Sequence, residues 1–304
     1  MIEQLKTQIN QWLKPQGPYS QTQLAREMGM SPAVLNQFMQ DKYKGNLEEA
    51  SRKISQWLNQ QEQKAQVSGN LPSAPVYVPT PTSQRIIATL TYAQLANDFI
   101  VVYGGAGFGK TTSIRQYANE NPNVWVVEAT PARNTGGALL RSIAHECGVR
   151  LPRGQIDFLE MALLDRLKNT GGLLVIDEAQ FLNDRALEST RRMADMAGIG
   201  LALLGNESVY GKLTGTRRAA DYAQLFSRIG KRVRLTQCAK GDVEMLCEAW
   251  GLGAPETEYA KHIAAQPGAL RGLNKALRLA GIFAKGETLG LTHIKAAWAD
   301  LSGE

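Results

Sequence analysis

Residues Gly104, Gly105, Ala106, Gly107, Phe108, Gly109, Lys110 and Thr111 satisfy the pattern G-x-x-x-x-G-K-[ST], a spacing that holds a polyphosphate. Glycines let the backbone curl so that successive N–H groups face the phosphates, and a following helix aims its positive end at the same point. Lys110 is expected to reach the β- and γ-phosphates, the Thr111 hydroxyl to ligate Mg²⁺, and Thr112 to complete the loop's contacts. A second element, Leu173-Leu174-Val175-Ile176-Asp177-Glu178, is an apolar run that ends in two acids. Asp177 suits the hydration shell of Mg²⁺, and Glu178 suits polarisation of the attacking water, the base role in phosphoryl transfer. Two adjacent acids rather than one imply hydrolysis of ATP as well as binding.

Such groups converge only if strands and helices alternate. Short apolar runs at Phe99–Tyr103, Val124–Glu128, Leu173–Ile176 and Leu201–Leu204 read as buried parallel strands, with Arg232–Leu235 as a candidate fifth. Helical segments such as Ser113–Asn119, Gly137–Cys147 and Phe158–Leu167 lie between them, which implies right-handed crossovers and a sheet covered on both faces. Beyond about Thr236 the strands stop, and Asp242–Trp250, Glu256–Ala265, Ala269–Phe283 and Leu291–Leu301 read as four helices.

The start of the chain is different. Residues 1–62 read as a helical unit, and prolines at 72, 75, 79 and 81 predict an extended linker over 63–84. Within the unit, Ser20 to Met39 has the apolar spacing of a helix-turn-helix, with Leu24, Ala25, Met28, Val34, Leu35 and Phe38 inward, Gly29 at the turn, Ser31 as cap and Pro32 at the first helical position. Its second helix exposes Asn36, Gln37 and Gln40, followed by Lys42 and Lys44, all suited to DNA contacts. A protein-interaction module on the same scaffold is the alternative.

Composition sets bounds. Apolar residues at 43% and charged residues at 20% describe a soluble globular chain, and a net charge of +6 favours a polyanionic partner. No run approaches the length of a membrane span and the first residues carry no apolar signal core, so the expected compartment is cytoplasmic. Cys147, Cys238 and Cys247, like His145, His262 and His293, are too scattered for a disulfide framework or a zinc site. Basic residues cluster in two stretches, Arg150 and Arg153 in the first, and Arg217, Arg218, Arg228, Lys231, Arg232 and Arg234 in the second, where they could grip a phosphate backbone without reading sequence.

The two phosphate-site motifs resemble those of the AAA+ superfamily. That resemblance implies that Asn206, after the strand GLALLG, is the first sensor; that Arg271, in Pro-Gly-Ala-Leu-Arg, is the second, reaching the nucleotide from a lid; and that Arg228 is the arginine finger offered to a neighbouring subunit's ATP, with Arg217 and Arg218 as competitors. The implied fold class is α/β: an AAA+ P-loop NTPase core with a parallel sheet over 85–236 and a C-terminal helical lid over 237–304, preceded by an all-α helix-turn-helix domain. The order of parts, over nearly the whole chain, is similar to the B transposition proteins of phage Mu and its prophage relatives. The similarity implies an ATP-dependent, largely sequence-independent duplex DNA binder that self-assembles into helical filaments, delivers target DNA to a transposase and releases it on hydrolysis. A helicase-loader or replication-initiation ATPase, and an ATP-regulated sequence-specific DNA-binding regulator, are the competing readings.

Overall fold

Apolar side chains that alternate along five strands build the centre of the chain. A computed structural model of the protein describes residues 2–15, 17–70, 75–149, 156–214 and 228–303. Strands β1 (Phe99–Gly104), β2 (Val124–Glu128), β3 (Leu173–Asp177), β4 (Gly200–Gly205) and β5 (Ile229–Leu235) form one sheet in the order β2-β3-β4-β1-β5. Every neighbouring pair is parallel. Successive side chains point to opposite faces, so Val101, Tyr103, Leu174, Ile176, Leu201 and Leu203 enter one core while Ile100, Val102, Leu173, Val175, Ala202 and Leu204 enter the other. Helices α7 (Gly136–Glu146), α8 (Ile156–Leu167) and α9 (Asp184–Ala197) contribute to the first core. Helices α5 (Pro81–Ala96) and α6 (Lys110–Glu120) contribute to the second. Burial on both faces is why these strands read as continuous apolar runs. A short helix α10 (Glu207–Thr214) follows β4. Cys147 lies in the first core, and burial pushes its thiol up to about 11, which removes it from thiolate chemistry.

After β5 come α11 (Asp242–Ala249), α12 (Ala254–Ala264), α13 (Ala269–Phe283) and α14 (Leu291–Ser302). They enclose a separate core of Val243, Leu246, Ile263, Leu273, Leu277 and Ile294.

The chain divides into two compact units, one built on Met1–Leu71 and the other on Pro72–Ala284 and Thr288–Glu304. The first consists of α1 (Ile2–Trp12), α2 (Gln21–Glu27), α3 (Pro32–Met39) and α4 (Leu47–Asn70) around Ile9, Leu24, Leu35, Phe38, Ile54 and Trp57. A capping box at Ser20 starts α2, Gly29 turns the chain at φ +66°, and the Ser31 hydroxyl accepts from Val34 N–H to start α3. Val34 itself is only half-buried.

The extended linker expected over 63–84 is corrected at both ends. Helix α4 continues to Asn70, through Gly69, since no proline stands in that stretch before Pro72. At the other end Pro81 does not break a helix but opens one: it stands at the first position of α5, where a missing N–H costs nothing, behind a Thr80 cap whose hydroxyl accepts from Ser83 N–H.

This second helix start is held by a carboxylate from far along the chain. Asp242 is fully buried at the beginning of α11, and its oxygens accept from Thr82 N–H at 2.8 Å, the Thr82 hydroxyl at 2.5 Å and Ala239 N–H at 2.6 Å. Replacing Asp242 by Ala leaves these buried donors unmatched, so chemical denaturation should show a loss of about 2–4 kcal/mol in unfolding free energy. A loss below about 1 kcal/mol would mean that the three bonds contribute little net stability.

Candidate functional site

Loop 104–109 joins the end of β1 to the first turn of α6, and its shape depends on glycine. Gly107 has φ +93°, and a Cβ placed there would stand 1.8 Å from the Gly268 carbonyl oxygen, so the loop touches the lid backbone directly. Helix α6 starts at Gly109 without a side-chain cap, which leaves its first-turn amides facing the loop's interior. Lys110 Nζ reaches back across that interior to donate to Gly104 O at 2.9 Å and Gly105 O at 2.7 Å. Burial pushes the Lys110 pKa down from the ordinary lysine value, and the nearby carboxylates of Asp177 and Glu178 offset this in part. A desolvated cation and uncapped amides at a helix start form a cradle that fits an anion such as a polyphosphate.

The acid pair lies beside it. Thr111 Oγ1 donates to Asp177 Oδ2 at 2.7 Å, and Asp177 is buried at the end of β3. A hydroxyl and a carboxylate at this separation are hard oxygen ligands of the kind that Mg²⁺ takes. Glu178 follows in the left-handed region at φ +54°, and its carboxylate accepts from Gln180 Nε2. Gln180 Oε1 in turn accepts from Asn206 N–H at 3.2 Å. The Asn206 side-chain oxygen is engaged by Ser208 N–H and the Ser208 hydroxyl, at 2.9 and 2.5 Å, so it caps the turn into α10.

Several of these residues border one cleft of about 510 Å³, a size suited to a small-molecule ligand, while the buried Asp177 is not part of its lining. Gly104, Ala106, Gly107, Gly109, Lys110, Thr111 and Thr112 line it, together with Glu178, Asn206 and, from α13, Arg271. Two expected loop contacts are placed differently. The Phe108 ring is buried in the second sheet core with Ile114, and Gly105 packs over that ring rather than lining the cleft. A stretch missed in the sequence also lines the cleft: Pro75, Val76, Tyr77 and Val78, together with Leu246 and Leu270, with Val78 packed against the core to which both leucines belong and the Tyr77 hydroxyl 2.5 Å from Ser83 Oγ. The proline cluster that marked this stretch was a signal for extended chain, not for a binding wall.

Arg228 is not brought to this cleft. It precedes β5, whose first residue Ile229 pairs with Phe99, so it stands at the opposite end of the sheet from Gly104. It is exposed and donates to Asp195 Oδ2 at 3.4 Å. Asn36, Gln37, Lys42 and Lys44 are all exposed in the first unit, on α3 and the turn that follows, with Asn36 Oδ1 accepting from Gln21 and Gln40. Arg150, Arg153, Arg217 and Arg218 lie outside the described residues.

Residues 94–213 match an AAA domain, and residues 227–301 match the family described as Mu B transposition protein, C terminal. The "ATP-dependent target DNA activator B" of Escherichia phage Mu is 37% identical over 282 residues, covering 92% of this chain and 89% of that protein. The chain belongs to the Mu B transposition protein family. A further relative, the "Mu-like prophage FluMu DNA transposition protein B" of Haemophilus influenzae, is 38% identical over 238 residues, covering 78% of this chain and 82% of its own. Among solved structures, Cdc6p from Pyrobaculum aerophilum superposes with a TM-score of 0.53 at 18% identity, over 72% of this chain. A Drosophila ORC chain solved with DNA superposes with 0.53 at 16% identity, over 79% of this chain. The chain spans just under two-thirds of either, 65% in both cases, so these two establish the fold alone. As a Mu B family member with this fold, the chain is an AAA+ ATPase that uses ATP. Among the described residues no helix is long and apolar enough to cross a membrane.

The depressed Lys110 pKa has a measurable consequence. A bound polyphosphate stabilises the ammonium and raises that pKa, so between the two values nucleotide binding takes up a proton, and affinity falls as pH rises through the lower one. Calorimetric titration with ATP at alkaline pH, in two buffers of different ionisation enthalpy, should give heats that differ by the buffer contribution. Identical heats would show that Lys110 does not change protonation on binding.

Proposed function

We propose that this chain is an ATP-switched, largely sequence-independent binder of duplex DNA that assembles on target DNA as oligomers or filaments and delivers it to a transposase. The observation that carries the proposal is the pairing of a cleft lined by Lys110, Thr111, Glu178, Asn206 and Arg271 with relatives named as ATP-dependent target DNA activators. The exposed Asn36, Gln37, Lys42 and Lys44, the basic Arg150 and Arg153, and the positive net charge suit contacts to DNA phosphates.

In the cleft, Lys110 and the loop amides hold the phosphates, and Thr111 with Asp177 would hold Mg²⁺. When bound, Mg²⁺ neutralises charge on the β- and γ-phosphates. Glu178 takes a proton from water as the water oxygen bonds to the γ-phosphorus; the bond to the β–γ bridging oxygen breaks, and ADP and phosphate leave. Asn206 faces the γ-phosphate side, and Arg271 contacts the nucleotide from the lid. Arg228, at the far end of its own sheet, serves the cleft of a neighbouring copy, so ATP couples hydrolysis to assembly.

Two measurements test the proposal. Random-sequence duplex should bind at least about tenfold more tightly with ATP than with ADP or no nucleotide, weaken as salt rises, and lose its nucleotide dependence in Lys110→Ala. Nucleotide-independent binding to one preferred sequence would instead favour a sequence-specific regulator, and no DNA binding would refute the proposal. For the neighbour's arginine, Arg228→Ala and Glu178→Gln should each abolish ATPase activity alone yet recover part of it when mixed, because mixed assemblies contain clefts with both groups intact. An Arg228→Ala protein as active as the parent would exclude this arginine.

A further inference from the structure

Immediately after Asp177 the chain reverses: Glu178 is left-handed and Ala179–Phe181 forms a single tight turn. This carries the Gln180 side chain back between the ends of two adjacent strands. Its Nε2 donates to Glu178 Oε2, and its Oε1 accepts from Asn206 N–H at 3.2 Å. The end of β4 makes room for the amide only because residue 205 is glycine, since a Cβ there would stand 2.3 Å from Gln180 Oε1. One side chain therefore bridges the carboxylate that follows β3 and the backbone that follows β4. The task needs a donor and an acceptor at one planar tip with a two-carbon reach. Glutamate lacks the donor, leucine lacks both, and asparagine is shorter by a methylene.

We propose that Gln180 is a positioning residue for ATP hydrolysis, whose amide fixes the Glu178 carboxylate against the Asn206 loop by holding Oε2 and so turns Oε1 toward the attacking water. The inference rests on Glu178 acting as the base. Without the amide the carboxylate rotates about its own side-chain bonds, and misplacement of a reacting group by about 1 Å costs on the order of 100-fold in rate. Gln180 lines the same cleft as Lys110 and Thr111, whose own bonds run to Gly104 O, Gly105 O and Asp177, so the residues assigned to the phosphates keep these partners when the amide is removed.

The test is ATP turnover by the full chain with random duplex DNA, together with ATP dissociation constants, for the parent, Gln180→Ala, Gln180→Glu and Glu178→Gln. Gln180→Ala should lower kcat by about 10- to 100-fold while the ATP dissociation constant stays within about twofold. Gln180→Glu keeps the acceptor for Asn206 N–H but loses the donor to Glu178, so its kcat should fall as in Gln180→Ala, again with little change in the ATP dissociation constant. An unchanged kcat in Gln180→Ala, or a fall in kcat matched by an equal loss of ATP affinity, overturns the proposal. A kcat in Gln180→Glu equal to the parent's overturns it as well. If Glu178→Gln turns over ATP like the parent, the base assignment itself fails; if it is inactive while Gln180→Ala is not, only the role of Gln180 fails.

Discussion

The ends of β1, β3 and β4 lie side by side in one parallel sheet, and the chemistry of the protein depends on that alignment. Tyr103 pairs with Gly205 and Ile176 with Leu203, so the phosphate loop, the acid pair and Asn206 leave the sheet at one edge. Parallel strands make this possible, because each crossover returns the chain to start again at the far edge and every loop after a strand falls on the same side. A one-residue slip of β3 would exchange its buried faces and carry Asp177 away from Thr111. The two apolar cores hold the register, and the catalytic geometry is secured by packing that never touches the ligand.

The lid meets that edge through contacts of different kinds, among them Ala269 in the second sheet core. Gly107 meets Gly268 backbone to backbone, which only glycine permits. Asp242 binds the start of α5 to the start of α11, next to the segment Pro75–Val78 that lines the cleft. A ligand in the cleft therefore touches the loop, the lid and this segment together, and its occupancy bears on their mutual arrangement. This is the physical form that a nucleotide switch takes when two parts of a protein contribute to one site.

The sequence revealed what chemistry restricts to few residue types. Lys110, Thr111, Asp177 and Glu178 were legible as one cluster because their two motifs fix residue type and spacing at adjacent strand ends, and the strands because two-sided burial demands unbroken apolar runs. Prolines misled in one direction: Pro81 reads as a helix breaker until its position behind Thr80 is known. Phe108 lies inside the motif yet packs into the core, since a motif records spacing and not which way a ring points. Gln180 gave no signal at all, because its reach to Glu178 and Asn206 exists only through the left-handed turn at Glu178, a backbone state that a glutamate seldom adopts. The wall at Pro75–Val78 was equally hidden, as its partners Leu246 and Leu270 are distant in sequence.

The central claim is that one cleft links nucleotide to DNA, and linkage is reciprocal. The most direct measurement is the affinity of the full chain for a non-hydrolysable ATP analogue with and without saturating random-sequence duplex, set beside the effect of the same analogue on duplex affinity. The account predicts that duplex tightens nucleotide binding by the same factor by which nucleotide tightens duplex binding. Nucleotide affinity that is indifferent to DNA would contradict it.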